Sequence, residues 1–377
     1  MPTGRSRIIQ IVQHLAPGGI ETLALELHRT FREQHDSLLI SLEGNYASAS
    51  AHWPRLTEFQ HELIFLDKQP GLQPSLLARL YRLLRQQKPD VVHTHHIGPL
   101  LYGALAGRLA KVPCLVHTEH DAWHLENPKR RKLAALLCQL GHPHLVADSE
   151  QVASAMRQYL PGCQPEVILN GIDTTRFTPA DHHRRIAARQ ALQLPLEVPL
   201  IGCAARLEAV KGHSNLLQAL GQSLTQSPSL HLVLAGTGSL DAVLRQQAAA
   251  LGLHDRVHFA GLLSDMTAFY HALDGFCLAS QAEGLPLSPL EAQACNVPVV
   301  LTDVGGCREC TELSTSQLVP YGDIPALAAA LQRCVSQPAS TAPRQFVERH
   351  ASLVSMAAHY LRLYQISDTS GARLCGA

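Results

Sequence analysis

The chain has 377 residues, of which 46% are apolar and 16% are charged. This length is enough for two domains that each bury a core, and the composition is that of a folded globular protein. Its 31 basic and 31 acidic residues balance, so the charge gives no indication of nucleic-acid binding. No stretch approaches the roughly 18 consecutive apolar residues of a membrane span, and the N-terminal apolar run lacks a signal-peptide cleavage site. We therefore expect a cytoplasmic protein.

Segments with the patterns of strands and helices alternate along the first half of the chain. Such alternation is typical of parallel sheets in doubly wound α/β domains. The helix predicted at 74–87 is the clearest, because Leu76, Leu80 and Leu84 recur on one face. The predicted strands are 7–12, 37–41, 62–66, 90–94, 114–118, 145–148 and 166–169, and the predicted helices are 21–31, 74–87, 100–110 and 151–160.

The same alternation restarts after a turn-rich segment at 170–179 and a polar, basic stretch at 181–190, where we place the domain join. We expect domains at 1–175 and 176–345. The tail, 344–365, is predicted to be one helix. The predicted strands are 200–205, 230–235, 257–260, 275–278 and 299–302, and the predicted helices are 213–224, 240–251, 266–273 and 324–336.

Two carboxylates stand eight positions apart at Glu283 and Glu291, with one Gly and two Pro between them. One continuous helix cannot carry both. Ser288 and Pro289 are typical of an N-cap and a first helical residue, which predicts Glu291 in the first turn and Glu283 in the preceding loop. This arrangement would suit a polyhydroxylated, phosphorylated ligand. Glu291 could instead only complete a capping box with Ser288, and Glu283 could be a solvated loop charge.

Two cations, Arg206 and Lys211, share the loop after the strand at 200–205. Both could reach a diphosphate, Arg206 bidentately and Lys211 as a point charge, or they could be a solvated surface pair. Gly236 and Gly238 form a turn after the next strand, and by themselves they could simply lead into a helix.

Adjacent glycines, Gly18 and Gly19, follow the first strand and open the first helix. Their N–H groups could approach a phosphate, or they could form a plain tight turn. The segment is not G-x-G-x-x-G, and no acidic residue follows the second strand where NAD would need one, which disfavours a dehydrogenase.

Histidines cluster after two neighbouring strands of the first half. His95 and His96 end one strand, and His120 follows the other. They could suggest zinc, but no carboxylate or Cys is placed to complete a site. Cys307 and Cys310 form a lone C-x-x-C without a second pair. We therefore expect no metal site, and the scattered cysteines fit a reducing compartment.

Four consecutive cations, Lys129, Arg130, Arg131 and Lys132, open a helix rich in Leu and Ala. They are either a solvated face or a patch that attaches the protein peripherally to anionic lipid on the inner face of the membrane.

The order of these motifs resembles the family-4 retaining glycosyltransferases of the GT-B fold. The resemblance runs from about Arg7 to Gln365 and rests on E-x7-E, R-x4-K-G and the two glycine loops. It implies two Rossmann-like domains facing a central cleft, with residues 346–377 crossing back to the N-terminal, acceptor-side domain. Pro286 and Asn296 stand where many members have Gly.

The resemblance implies a retaining transferase that moves a sugar from a UDP- or GDP-sugar to a hydroxyl of a glycan or lipid-linked glycan, without cofactor or metal. Arg206 and Lys211 would neutralise the diphosphate, Glu291 would hold the ribose, and Glu283 and His120 would contact the sugar. The other donor-binding residues would be Gly18, Gly19, Gly236, Gly238, Gly284, Leu285, Leu287 and Ser288. A GT-B epimerase or phosphorylase, or a non-catalytic sugar-nucleotide binding protein, would share many of these features.

Overall fold

The computed structural model describes residues 5–225 and 227–365. The chain forms two compact units. Among the described residues, the first comprises 5–170 and 353–365, and the second comprises those of Gly171–Ser352. Each is a parallel β-sheet with helices packed against it, because its strands are apolar runs too continuous to leave one face in water.

The first unit contains a seven-stranded sheet in the order β3-β2-β1-β4-β5-β6-β7. The chain leaves β1 on one side toward β2 and returns on the other at β4, so the carboxyl ends of β1 and β4 flank a topological switch point. The strands are β1 Arg7–Val12, β2 Asp36–Ser41, β3 Leu63–Phe65, β4 Val91–His95, β5 Cys114–Glu119, β6 His144–Ala147 and β7 Glu166–Val167.

The helices of the first unit cover this sheet and supply its apolar core. The helices before the unit boundary are α1 Gly19–Phe31, α2 Tyr46–His52, α3 Pro74–Gln87, α4 Ile97–Pro99, α5 Leu105–Ala110, α6 Pro128–Gly141 and α7 Glu150–Tyr159. A π-helical turn, Leu100–Ala104, joins α4 to α5. The helix predicted at 100–110 is therefore irregular in its first half.

The C-terminal helix α15, Leu353–Leu363, belongs to this first unit. The hydroxyl of Tyr360 lies 2.9 Å from Thr118 Oγ1 on β5, and the hydroxyl of Tyr364 lies 2.8 Å from His93 Nδ1 on β4. These buried polar contacts fix α15 and the adjoining Tyr364 against the centre of the first sheet.

The second unit contains a six-stranded sheet in the order β10-β9-β8-β11-β12-β13. Its switch point lies between β8 and β11, so the loops that follow β8, β9 and β11 emerge at the same edge. The strands are β8 Leu200–Ala204, β9 His231–Ala235, β10 Val257–Gly261, β11 Gly275–Leu278, β12 Val299–Thr302 and β13 Gln317–Val319; the helices are α8 His182–Ala191, α9 His213–Ser223, α10 Asp241–Ala250, α11 Met266–His271, α12 Leu287–Ala294, α13 Ile324–Ser336 and α14 Ala342–His350.

The polar stretch at 181–190, near which the sequence analysis places the domain join, carries α8, which Asp181 caps by accepting from the N–H of Arg184. Helix α8 packs against the rest of the second unit, because the side chain of Arg189 is fully buried and donates to backbone carbonyls and to Asp274. The prediction of one helix for the tail is wrong, since Ala351 and Ser352 separate α14 from α15.

Candidate active site

The loop that carries Lys211 packs directly against the end of β11. A 3₁₀ turn, Ala209–Lys211, is followed by Gly212, whose φ of 66° lies in the left-handed region. A Cβ at Gly212 would overlap the carbonyl oxygen of Ala279, so only glycine permits this approach. The turn thereby brings the side chain of Lys211 to the residues that follow β11.

Lys211 and Glu283 form an ion pair at this edge of the sheet. The Lys211 Nζ lies 2.7 Å from Glu283 Oε1 and 2.8 Å from Oε2. The hydroxyl of Ser280 donates to the same Oε1 at 2.6 Å. The side chain of Glu283 is 6% exposed and that of Lys211 is 19% exposed. The interpretation of Glu283 as a solvated loop charge is therefore wrong, and Lys211 is not a solvated surface cation.

Arg206 differs from Lys211 in its surroundings. Its side chain is exposed, and within the described ranges no hydrogen bond or ion pair engages its guanidinium. The loop beneath it is fixed, because the Glu208 carboxylate accepts from the N–H and hydroxyl of Ser239 at 3.0 and 2.7 Å. The structure thus presents one exposed cation on a rigid loop beside a buried ion pair.

The two glycines after β9 shape this same loop. A Cβ at Gly236 would overlap the carbonyl of Ala205, and a Cβ at Gly238 would lie 2.5 Å from the carbonyl of Leu207. The backbone N–H of Leu207 also donates to the carbonyl of Thr237 at 2.9 Å. Gly236 and Gly238 therefore let the β9 loop pack closely against the Arg206 loop. Whether they also border a nucleotide stays a prediction.

The helix that carries Glu291 begins two residues earlier than the sequence predicts. Helix α12 starts at Leu287 with Pro286 as its N-cap, so Ser288 is not the N-cap and Pro289 is not the first helical residue. The backbone of Pro286 is extended, with φ −70° and ψ 137°, as is usual for an N-cap residue. Pro289 is tolerated in the first turn because a backbone N–H at that position would have no partner within the helix. Glu291 consequently lies in the second turn, outside the expected capping box.

The carboxylate of Glu291 has a partner from another helix. The hydroxyl of Tyr270, on α11, donates to Glu291 Oε2 at 2.6 Å. Tyr270 and Ser280 are the two residues of this site that the sequence analysis missed. Ser280 precedes Glu283 by only three residues, which could have signalled it, whereas nothing in the sequence connects Tyr270 with Glu291.

The backbone around Glu283 is held by a second glycine pair. A Cβ at Gly305, with φ 57°, would overlap the carbonyl of Glu283, and the N–H of Gly306 donates to the carbonyl of Gly284 at 2.8 Å. Leu285 is buried in the same loop, before the half-buried Leu287 and Ser288. The short segment that the resemblance assigns to the donor sugar is therefore rigidly supported, although its contact with a sugar stays a prediction.

In the first unit, the Gly18–Gly19 loop lies against a carboxylate of its own chain. Gly18 is the N-cap of α1, and a Cβ there would overlap the side chain of Glu21. The buried Glu21 pairs with His14 at 2.8 Å and raises the pKa of that imidazole. A negative side chain therefore already complements the helix dipole at the position where a phosphate was expected.

His120 lies in a buried polar network at the carboxyl ends of β4 and β5. Its Nε2 is 3.0 Å from His95 Nδ1, and its Nδ1 faces Asp148 Oδ2 at 3.5 Å. Gln10 donates to the Ala24 carbonyl, so its amide oxygen accepts from His95 Nε2. This fixes the neutral tautomer of His95 and makes His120 Nε2 the donor between the two rings. The contact of His120 with a sugar stays a prediction.

Burial shifts the pKa of titratable groups in both units. It lowers the pKa of His95 well below its ordinary value, so the ring is neutral. It raises the pKa of the Cys307 thiol to about 12, which makes the thiol unreactive. Over residues 5–225 and 227–365, no group of three or more His, Cys, Asp or Glu is arranged to hold a metal ion. Cys307 and Cys310 are accordingly buried apolar neighbours of the site.

The basic run begins helix α6 on the first unit. Asn127 caps this helix by accepting from the N–H groups of Lys129 and Arg130. Across the described part of the chain, none of the four cations forms an ion pair, and Lys132 is exposed. Leu136 and Leu140, farther along α6, are each 50% exposed. Among residues 5–225 and 227–365, no helix is both long enough and apolar enough to cross a bilayer.

The fold is that of the GT-B glycosyltransferases. The crystal structure of HepE from Anabaena, in complex with UDP and glucose, superposes with a TM-score of 0.82 at 22% identity, over 96% of this chain and 100% of HepE. Sucrose-phosphate synthase from Thermosynechococcus elongatus gives a TM-score of 0.75 at 20% identity, over 96% and 98% of the two chains.

Sequence comparison then places the protein more narrowly. Residues 17–176 match the model described as Glycosyltransferase Family 4, and residues 184–351 match Glycosyl transferases group 1. The GDP-mannose-dependent monoacylated alpha-(1-6)-phosphatidylinositol monomannoside mannosyltransferase of Corynebacterium glutamicum is 32% identical, over 70% of this chain and 72% of its own. An Escherichia coli UDP-Gal:alpha-D-GlcNAc-diphosphoundecaprenol alpha-1,3-galactosyltransferase is 28% identical, over 68% and 69%. The chain belongs to glycosyltransferase family 4.

Proposed function

We propose that this glycosyltransferase moves a hexosyl group from a UDP- or GDP-sugar to an acceptor hydroxyl, with retention of the anomeric configuration. The observation that carries the proposal is the grouping of Arg206, Lys211 and Glu283 on loops at one edge of the second sheet. An exposed guanidinium suits an incoming diphosphate, and a buried carboxylate suits sugar hydroxyls. HepE, of like fold, was solved with UDP and glucose, and the corynebacterial relative is GDP-mannose-dependent.

We propose the following chemistry, in which the attack from the same face is what the resemblance to the family implies. The bond between the anomeric carbon and the β-phosphate oxygen breaks, and the acceptor oxygen attacks from the same face. The acceptor proton passes to the departing phosphate oxygen. Arg206 and Lys211 stabilise the negative charge that develops there. Lys211 has three N–H donors, of which Glu283 receives two, so a third is available for phosphate. The negative charge of Glu283 stabilises the positive charge developing on the sugar.

These two cations supply the positive charge that many transferases obtain from a divalent metal. We therefore propose that the reaction needs no metal and no other cofactor. Activity in excess chelator should equal activity without it. Restoration of a lost activity by Mg²⁺ or Mn²⁺ would overturn this part of the proposal.

Titration calorimetry with UDP and GDP tests the diphosphate assignment. Arg206→Ala should weaken binding of the preferred nucleotide by roughly 10- to 150-fold, the equivalent of about 1.5–3 kcal/mol for a charge-assisted contact. Binding of the corresponding nucleoside should not change. Arg245→Ala is the matched control, because Arg245 is an exposed arginine of the same unit that pairs with Asp241. Equal nucleotide affinities of the Arg206 variant and wild type would refute the assignment.

The stereochemistry has its own test. An α-linked donor should give an α-linked product, which proton NMR of the product shows from its anomeric coupling. A β-linked product would refute retention. Incubation of the donor without acceptor distinguishes transfer from epimerisation, because only an epimerase would change the sugar under that condition.

We further propose a lipid-linked glycan as acceptor, with α6 attaching the enzyme to an anionic membrane. Lys132, Leu136 and Leu140 are spaced four residues apart and so form one stripe along the helix. Cations beside exposed leucines suit an interface in which the leucines enter the acyl boundary and the cations contact headgroups. At about 1 kcal/mol for each basic residue near such a surface, the attachment should be weak and sensitive to salt.

Sedimentation with phosphatidylglycerol vesicles tests this attachment. Wild type should sediment at low salt, and replacing Lys129, Arg130, Arg131 and Lys132 by Gln should reduce the bound fraction. Neutral phosphatidylcholine vesicles should bind neither protein. The control replaces by Gln the exposed cations Arg82 and Arg85 of α3 and Lys88, which follows that helix, and it should have no effect. Equal sedimentation of wild type and the α6 variant would make the solvated-face interpretation the better one.

A further inference from the structure

Tyr270 is a buried phenol whose only polar atom is directed at Glu291. Its ring packs against those of Phe177 and Phe276, with centroid distances of 5.8 and 5.9 Å. The residue is fully buried, and its hydroxyl donates to Glu291 Oε2 at 2.6 Å. A tyrosine side chain has two rotatable bonds, and packing against these rings fixes both. The position of the hydroxyl is therefore set by the core of the second unit.

The hydroxyl can act only as a donor toward this carboxylate. Burial raises the pKa of Tyr270 well above its ordinary value, and the charge of Glu291 raises it further. The phenol therefore stays protonated wherever Glu291 is ionised. Glu291 itself has three rotatable bonds and lies half-buried on α12. The hydrogen bond from Tyr270 restricts the orientations that its carboxylate can adopt.

We propose that Tyr270 is a positioning residue that orients the Glu291 carboxylate toward the vicinal hydroxyls of the nucleotide ribose. The inference rests on the proposed function, in which Glu291 receives the hydrogen bonds of that diol. A diol is recognised well only by a carboxylate whose plane is fixed, because both hydroxyls must meet it at once. A carboxylate has about four acceptor positions, and Tyr270 occupies one of them. Tyr270 thereby selects a ribonucleotide without contacting it.

Tyr270→Phe removes the hydroxyl and keeps the buried ring. The affinity of the preferred nucleoside diphosphate, UDP or GDP, should fall about threefold to tenfold, the range of one hydrogen bond. The affinity of its 2′,3′-dideoxy analogue should not change. In a Glu291→Gln background, adding Tyr270→Phe should leave both affinities as they were. The measured quantity is therefore the ratio of ribonucleotide to dideoxynucleotide affinity, which a general loss of stability would not alter selectively.

Leu244→Ala is the control for a general loss of stability, because it removes a buried side chain on α10 of the same unit and keeps Tyr270 and the rings that pack against it. It should lower the melting temperature and leave the affinity ratio at the wild-type value. Should Tyr270→Phe fail to fold, 3,5-difluorotyrosine at position 270 gives a second measurement. Its more acidic hydroxyl is a stronger donor, so the ratio should equal or exceed that of wild type. A lower ratio there, or equal losses for both ligands in Tyr270→Phe, would overturn the inference.

The proposed function and this inference fail in different ways. If wild type binds neither UDP nor GDP, the proposed nucleotide site is wrong. If wild type binds one of them with a clear preference over the dideoxy analogue and Tyr270→Phe retains that preference, only the positioning role is wrong.

Discussion

The ion pair between Lys211 and Glu283 should make Lys211 structurally important, in contrast to Arg206. Lys211→Met would leave the Glu283 carboxylate, which is 6% exposed and accepts a hydrogen bond from Ser280, without its cation. Removing one partner of a buried ion pair costs about 3–5 kcal/mol. Because Lys211 is itself 19% exposed, the lower end of that range, about 3 kcal/mol, is the expected loss of unfolding free energy.

Arg206→Met removes an exposed cation without a structural partner and should change stability by no more than about 0.5 kcal/mol. For a domain of about the size of the second unit, a change of about 1 kcal/mol in unfolding free energy shifts the melting temperature by roughly 2–4 °C. Scanning calorimetry should therefore show the transition of the second unit about 6–12 °C lower in Lys211→Met. In Arg206→Met it should be nearly unchanged.

A double-mutant cycle separates the ion pair from other effects of losing Lys211. Glu283→Gln removes the charge, so Lys211→Met should cost much less in that background than in wild type. We expect a coupling free energy of about 2 kcal/mol from urea unfolding. Additive losses, or an equal loss of stability in Arg206→Met, would refute the reasoning.

Two further predictions concern stability alone. Burial and then the charge of Lys211 lower the pKa of His213 to about 4. As pH falls from about 6.5 to 4, this ring binds a proton in the unfolded state before it does so in the folded state, so the free energy of unfolding falls by up to about 1.4 kcal/mol per pH unit. His213→Gln should therefore reduce the slope of unfolding free energy against pH by up to about 1.4 kcal/mol per pH unit, the contribution of one proton. Equal slopes for the variant and wild type would contradict this. Gly236→Ala, with φ 135° and a Cβ that overlaps the carbonyl of Ala205, should lose several kcal/mol on urea unfolding. The control Gly221→Ala, in α9 with no atom within 4 Å of its Cβ, should gain up to about 1 kcal/mol; similar losses in both would refute the steric argument.

Much of the fold could be predicted because its strands and helices carry strong local patterns. Strands β1, β11 and β12 have the predicted bounds, since each is a buried apolar run between polar or turn residues. Helices α3 and α13 also match, because each has a proline in its first turn and a regular apolar face. Helix α8 was not predicted because the segment 181–190 is polar, whereas the structure buries Arg189 of this helix and pairs it with Asp274.

The sequence by itself determined the alternating order of strands and helices, the family resemblance and the residue types of the candidate site. Only the tertiary structure decided how those residues are paired. Lys211 meets Glu283 across 72 positions of sequence, and Tyr270 meets Glu291 from a different helix. The physical reason is that local patterns specify strands and helices, whereas hydrogen-bond partners depend on which loops and helices the parallel sheet places side by side.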